Sequence, residues 1–284
     1  MCRGDPVNVA SPGLASHLDR CWEAYRDGLI AEVATLLAPG RQLLGTAEHL
    51  DAQSRGNAEV ELAMLTVIVT MVSGAHATDC LKVAAELAER VAAPDAACDG
   101  LHRLGGLAAG VHAAMRASKL STAEKRFRQA LVVAQGLNAE GGEPGVSGDD
   151  VCAVIGCAGL HLAGAAAAAG DARTTLALLE HSAITAAELG REHYLVGQYF
   201  GPQHVEATRS ICLTSLQRYQ ESLEVGRGVA AQLLIPLVHA TLLRTIAEAS
   251  DRLELASAGN VLRAQADNVA PPLRRQFGLD PLDG

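Results

Sequence analysis

One stretch of this chain, residues 151–190, reads VCAVIGCAGLHLAGAAAAAGDARTTLALLEHSAITAAELG, and it admits little besides two helices joined by a tight turn. Its first half is small and apolar on every side, without the alternation of a strand, which predicts a helix buried all round. Gly170 supplies a helix stop and Asp171 a cap for the helix that follows. Leu176, Leu179, Ile184 and Leu189 then fall at a spacing that predicts a core-facing stripe.

Weaker copies of this unit recur along the chain. Turn motifs stand at Arg26-Asp27-Gly28, Ser73-Gly74-Ala75-His76, 118–121, Gln217-Arg218-Tyr219 and Ser250-Asp251, about every 33 to 52 residues. A single unit of this kind cannot bury its apolar face alone, so the units must stack. The expectation is an all-α, tetratricopeptide-like α-solenoid of about six helix pairs, with a groove walled mainly by first helices. Composition agrees: 49% of residues are apolar but only 3% aromatic, a palette of Ala, Leu and Val suited to close-packed helices. The expected division is a flexible tail over 1–16, helical repeats over 17–137, a Gly-rich loop or hinge over 138–149, and further repeats over 150–284.

At GDARTTLALLEHSAITAAELG, followed by HYLVGQYFGPQHVEATR, the chain resembles the tetratricopeptide-like C-terminal region of Xre-type helix-turn-helix regulators widespread in actinobacteria. The Gly-Asp turn and the Phe200-Gly201-Pro202 opening of the next helix carry the likeness, and proline suits a first helical position. CWEAYRDGLIAEVATLLAPG and HATDCLKVAAELAERVAA extend it, so that it spans roughly residues 17–275. Such regulators begin with a DNA-binding domain, whereas only about 16 residues precede the first repeat here. The resemblance therefore implies a sensor region without its own DNA reader, either a stand-alone descendant or a fragment.

Charge points the same way. With 23 basic and 32 acidic residues the formal charge is −9, a field that opposes phosphate backbones and anionic lipid, so neither nucleic acid nor membrane is an expected partner. The richest basic cluster, Lys119, Lys125, Arg126 and Arg128, reads as a solvated face beside Glu124. Seven scattered cysteines argue against a disulfide framework and for a cytoplasmic setting; Cys152 and Cys157 lie on different sides of one helix. The N-terminus lacks a secretory pattern. Residues 151–170 have the length of a membrane span, but their Ala/Gly character, His161 and flanking acids favour a tightly packed helix of a water-soluble fold.

No Ser-His-Asp signature, phosphate-cradling glycine loop or His-Glu-x-x-His pair is present, and nothing calls for a cofactor or a metal. What remains is placement. His112, His161, His204 and His239 each fall on a predicted first helix, where equivalent positions converge on the groove and imidazoles could bind a ligand or move a proton. Residues 191–209 hold His193, Tyr194, Gln198, Tyr199, Phe200, His204, Glu206 and Arg209, an aromatic and polar concentration beside a helix N-terminus of the kind a small-molecule or peptide pocket needs. Trp22 and Tyr25 are expected in the core. Two functions follow. The first is a binding module for a small molecule, a peptide or a partner protein. The alternative is an enzyme of a specialised biosynthetic pathway with His204, His161 and Glu206 as acid–base groups. A homodimer is compatible with apolar end repeats.

Overall fold

The computed structural model describes residues 12–72, 77–93, 95–138, 143, 145–195 and 197–269. They form twelve α-helices, a single 3₁₀ turn (Ala231–Leu233) and one small hairpin. The helices come in six successive pairs: α1 (Pro12–Arg26) with α2 (Ile30–Thr46), α3 (Ala52–Val72) with α4 (Ala77–Ala92), and α5 (Gly100–Arg116) with α6 (Leu120–Leu137). They continue with α7 (Gly148–Ala168) and α8 (Ala172–Leu189), α9 (Pro202–Ser215) and α10 (Tyr219–Gly228), then α11 (Pro236–Arg252) and α12 (Ala256–Val269).

Five pairs turn in the same way. In each, the second residue beyond the first helix has positive φ: Gly28 (75°), Ser118 (54°), Gly170 (77°), Gln217 (60°) and Glu254 (62°). The next residue returns its N–H to a carbonyl five residues back, at 2.8–2.9 Å: Leu29 to Ala24, Lys119 to Ala114, Asp171 to Ala166, Arg218 to Leu213 and Leu255 to Ser250. This is the Schellman closure, which satisfies otherwise orphaned carbonyls and starts the second helix at once. Three of these turns put a side chain where glycine is easier, at roughly 1 kcal/mol each. The Ser73–His76 turn lies outside the described residues, as do 139–142 and 144 of the Gly-rich loop.

The first helices pack on one another in chain order: α5 lies against α3 and α7, and α9 against α7 and α11. Each second helix except the last, α12, lies between its own partner and the first helix of the next pair. Crowding explains the Ala/Gly composition of α7. A Cβ at Gly164 would stand 2.5 Å from Met115 Sδ, and one at Gly156 would stand 2.3 Å from the Phe200 ring. Among the described residues α7 alone is long and apolar enough to cross a membrane, and 72% of that window is buried by its neighbours. Cys152 on this helix is exposed and Cys157 buried.

Two sequence expectations need correction. The stripe on α8 is Thr175, Leu179, Ser182 and Ala186, while Ile184 is 54% exposed. Steps of four, three and four residues hold one face, and Ile184, five beyond Leu179, leaves it. Likewise, the segment before α9 is not featureless: β1 (His193–Leu195) and β2 (Gln198–Phe200) pair antiparallel, with Tyr194 opposite Tyr199. A two-residue connection ending in Gly197 (φ 69°), between runs rich in Tyr, Leu and Phe, is a hairpin signal that the surrounding helical periodicity masks.

The hairpin also reaches the first helix. Its tip meets α1, where a Cβ on Gly197 would stand 2.4 Å from the Trp22 ring. Tyr194 packs 6.4 Å from Tyr25, with the Arg26 guanidinium over its other side at 5.4 Å. At the first turn a Cβ on Gly28 would touch Pro236 of α11 at 2.9 Å. The first pair is thereby brought against the last, and the space between the first helices is closed rather than open.

Candidate functional site

That enclosed space is a chamber of about 70 Å³. Met64, Ile68 and Met71 of α3 form its apolar wall at helical spacing, with Ile235 and Val238 at the start of α11 opposite. His112 projects from α5, Cys157 and His161 from successive turns of α7, and His204 from the first turn of α9. Gln198 and Tyr199 of the hairpin and Tyr25 of α1 complete it.

The rings are ordered by stacking. His112 and His161 lie face to face, centroids 4.0 Å apart and 7° from parallel, and His204 stacks on Tyr199 at 4.9 Å. His204 Nδ1–H donates to the Tyr199 carbonyl at 2.5 Å, which fixes the tautomer and leaves Nε2 as an acceptor. His161 Nε2 stands 3.5 Å from Cys157 Sγ. Tyr199 Oη donates to the Leu233 carbonyl at 2.6 Å. Gln198 is only 8% exposed, and its side-chain amide makes no hydrogen bond within the described residues.

Among the described residues no carboxylate lines the chamber, and burial dominates its titration. Burial, then the Arg116 charge and His204, pull His112 down to about 3. Burial lowers His204 to about 4 in spite of the Tyr199 carbonyl, and burial with His112 and His204 nearby holds His161 well below the usual imidazole range. All three rings are neutral at pH 7. Burial likewise lifts the Cys157 thiol to about 12.

The remaining sequence candidates lie outside. His239, on α11, is partly exposed and does not line the chamber, because Ile235 and Val238 take that face. His193 Nε2 bonds Asp150 Oδ1 at 3.1 Å. Tyr194 stacks toward Tyr25, and its hydroxyl is buried without a partner. Phe200 is fully buried against Gly156. Glu206 and Arg209 pair with each other at 3.3 Å, away from the three imidazoles, so Glu206 is not placed to share their chemistry. Arg126, read as solvated, is buried and ion-paired with Glu89 at 2.7 Å, its stem covered by Gly110 and its neighbours.

A second polar cluster went unnoticed in the sequence. His102, on the same helix as His112, is held between two carboxylates: Nδ1 contacts Asp99 at 2.8 Å and Nε2 contacts Glu61 at 3.2 Å. Trp22 Nε1–H donates to Glu61 at 2.6 Å, Asn57 Nδ2–H donates to Asp99 at 2.7 Å, and Asp99 caps α5 through the His102 N–H. Burial would lower His102, but the hydrogen bonds to Asp99 and Glu61 outweigh it and hold the ring at about 9. The signal was an Asp-x-x-His start to α5 and Glu61 directly ahead of an apolar run. Cys157 was also legible, four residues before His161 on one helix face.

A larger concavity of about 730 Å³ opens between the start of α3, the α4–α5 connection and the end of α6. Its charged side chains are already engaged: Arg103 donates to the Val91 carbonyl, Asp99 holds His102, and Glu143 accepts from Gly100 N–H. Among the described residues no group of three or more His, Cys, Asp or Glu side chains is arranged to hold a metal ion. Set against protein-family models, curated proteins and solved structures, the chain matches none.

Proposed function

We propose that the chain is a tetratricopeptide-like solenoid, curled until its first and last pairs meet, that binds a small molecule in the chamber so formed. The repeated Schellman turns and the alternating packing of first and second helices support the solenoid reading. The resemblance to the sensor region of Xre-type regulators supports a sensing role in a cytoplasmic setting. One observation carries the binding reading: the Gln198 side chain, which makes no hydrogen bond within the described residues, lines the same space as three neutral imidazoles.

Size narrows the ligand. An apolar cavity of about 150 Å³ accepts benzene, so 70 Å³ suits a molecule of roughly three or four non-hydrogen atoms, and not a peptide. Thermal unfolding against a panel of compact polar molecules tests this. A true ligand at about ten times its Kd should raise Tm by about 3 °C, and Gln198→Leu should cut the rise to about 1 °C. A Tm unmoved across the whole panel would remove the binding reading.

The enzymatic alternative draws on the Cys157–His161 contact. With the thiol at about 12, only about one molecule in 10⁵ carries a thiolate at pH 7, which favours binding over nucleophilic chemistry. Methyl methanethiosulfonate labelling of Cys157 at the rate of an exposed thiol would reverse that preference.

A further inference from the structure

Resting on the small-molecule reading, we infer that the chamber takes a compact carboxylic acid together with one proton, holding it between the acceptor nitrogen of His204 and the amide of Gln198. The lining offers what such a molecule needs and little that repels it. His204 Nε2 is committed as an acceptor because Nδ1–H is spent on the Tyr199 carbonyl, so it calls for a donor from the ligand. The Gln198 amide, which lines the chamber and makes no hydrogen bond within the described residues, offers N–H groups to the second oxygen. A protonated carboxyl group presents this donor and acceptor side by side.

The surroundings favour an acid over a base. His204 belongs to the first turn of α9 and Val238 to the first turn of α11, so two positive helix ends face the chamber. Arg116 lies one turn beyond His112 on α5 and places a fixed positive charge near that ring. From α7 come only His161 and the neutral Cys157 thiol, from α1 only Tyr25, from α3 no titratable group, and from the hairpin Tyr199. The nearest carboxylates stand outside the lining. Glu61 accepts from Trp22 and contacts His102, while Glu192 Oε1 accepts from Gln203 N–H at 2.6 Å. Its second oxygen is buried without a hydrogen bond, beside Gly201. An anion alone would be stranded in this low-dielectric space, whereas an acid arriving with its proton leaves the contents neutral or paired.

Isothermal titration of the intact chain with sodium acetate, and with acetamide as the uncharged probe of the same shape, tests this. Ligand efficiency limits a four-atom molecule to a Kd on the order of tens of micromolar at best, so probes are taken to about 50 mM. Acetate should bind with uptake of about one proton, read from buffers of different ionisation heat, and its affinity should fall about 100-fold from pH 6 to pH 8. Gln198→Leu should weaken acetate about tenfold. Acetate binding without proton uptake, or unchanged in Gln198→Leu, overturns the inference. Binding of acetamide alone, or of neither probe, also overturns it and leaves the small-molecule reading to be decided by the thermal-unfolding panel.

Discussion

His102 and His112 lie ten residues apart on one helix, both largely withdrawn from bulk water, yet one is held at about 9 and the other at about 3. Burial pushes both downward. The difference is company: His102 sits between Asp99 and Glu61, and His112 sits against a second imidazole and an arginine. The upper cluster is therefore a closed electrostatic lock, every partner supplied by the chain itself. The other lines a chamber in which the Gln198 side chain makes no hydrogen bond within the described residues. Within one helical array the same residue type is thus charged in one setting and neutral in the other.

The largest effect is expected from breaking the lock. Asp99→Ala removes the partner of His102 and Asn57 and the cap of α5 together, and should lower the unfolding free energy in urea by about 3–5 kcal/mol. A loss under about 1 kcal/mol would show that the cluster does not hold α1, α3 and α5 together.

Next in size, the two clusters should impose opposite pH slopes. His102, raised, gives stability present in full below about 6.5 and lost as pH climbs through about 9, at up to about 1.4 kcal/mol per pH unit. His112, His161 and His204 are lowered, so their neutral native forms lose ground as pH falls below about 6.5, where the unfolded chain takes up protons. Urea melts at pH 5, 6.5 and 9 should therefore peak near the middle value. A monotonic rise from pH 5 to pH 9 would contradict the assignment of His102.

How much of this could be read from the sequence follows from range. Pairing into helices rests on neighbours in the chain, and the Gly28 and Gly170 turns are visible as such. The equivalent turns at Ser118, Gln217 and Glu254 are hidden because a non-glycine residue bears the positive φ. First-helix placement brought out His112, His161 and His204. It misjudged His239, whose helix is rotated so that Val238 faces inward. The hairpin's contact with Trp22 joins residues 175 positions apart, the difference between Gly197 and position 22, and no local pattern encodes it.

That long-range contact can be loosened. Gly197→Ala forces a side chain into both a positive-φ position and the Trp22 ring, and should cost about 1–3 kcal/mol. Because Trp22 is the chain's lone tryptophan, its emission should shift to the red. The chamber histidines, opened to water, should climb toward 6.5 while His102 stays near 9. The smallest change is chemical: Gln198→Glu supplies the missing carboxylate and should raise a chamber imidazole by about 1–3 pH units, making the lower cluster resemble the upper. An unmoved titration would place Gln198 out of reach of those rings.

The central claim, that one histidine is locked in its charged form while three face a chamber as neutral rings, is most directly tested by nitrogen-detected NMR of the ten imidazoles across pH 5 to 8.5. His102 should remain an imidazolium at pH 8, and His112, His161 and His204 should remain neutral at pH 5, with His204 protonated on Nδ1. If His102 and the three chamber rings all titrate together near 6.5, the contrast does not exist and the account built on it fails.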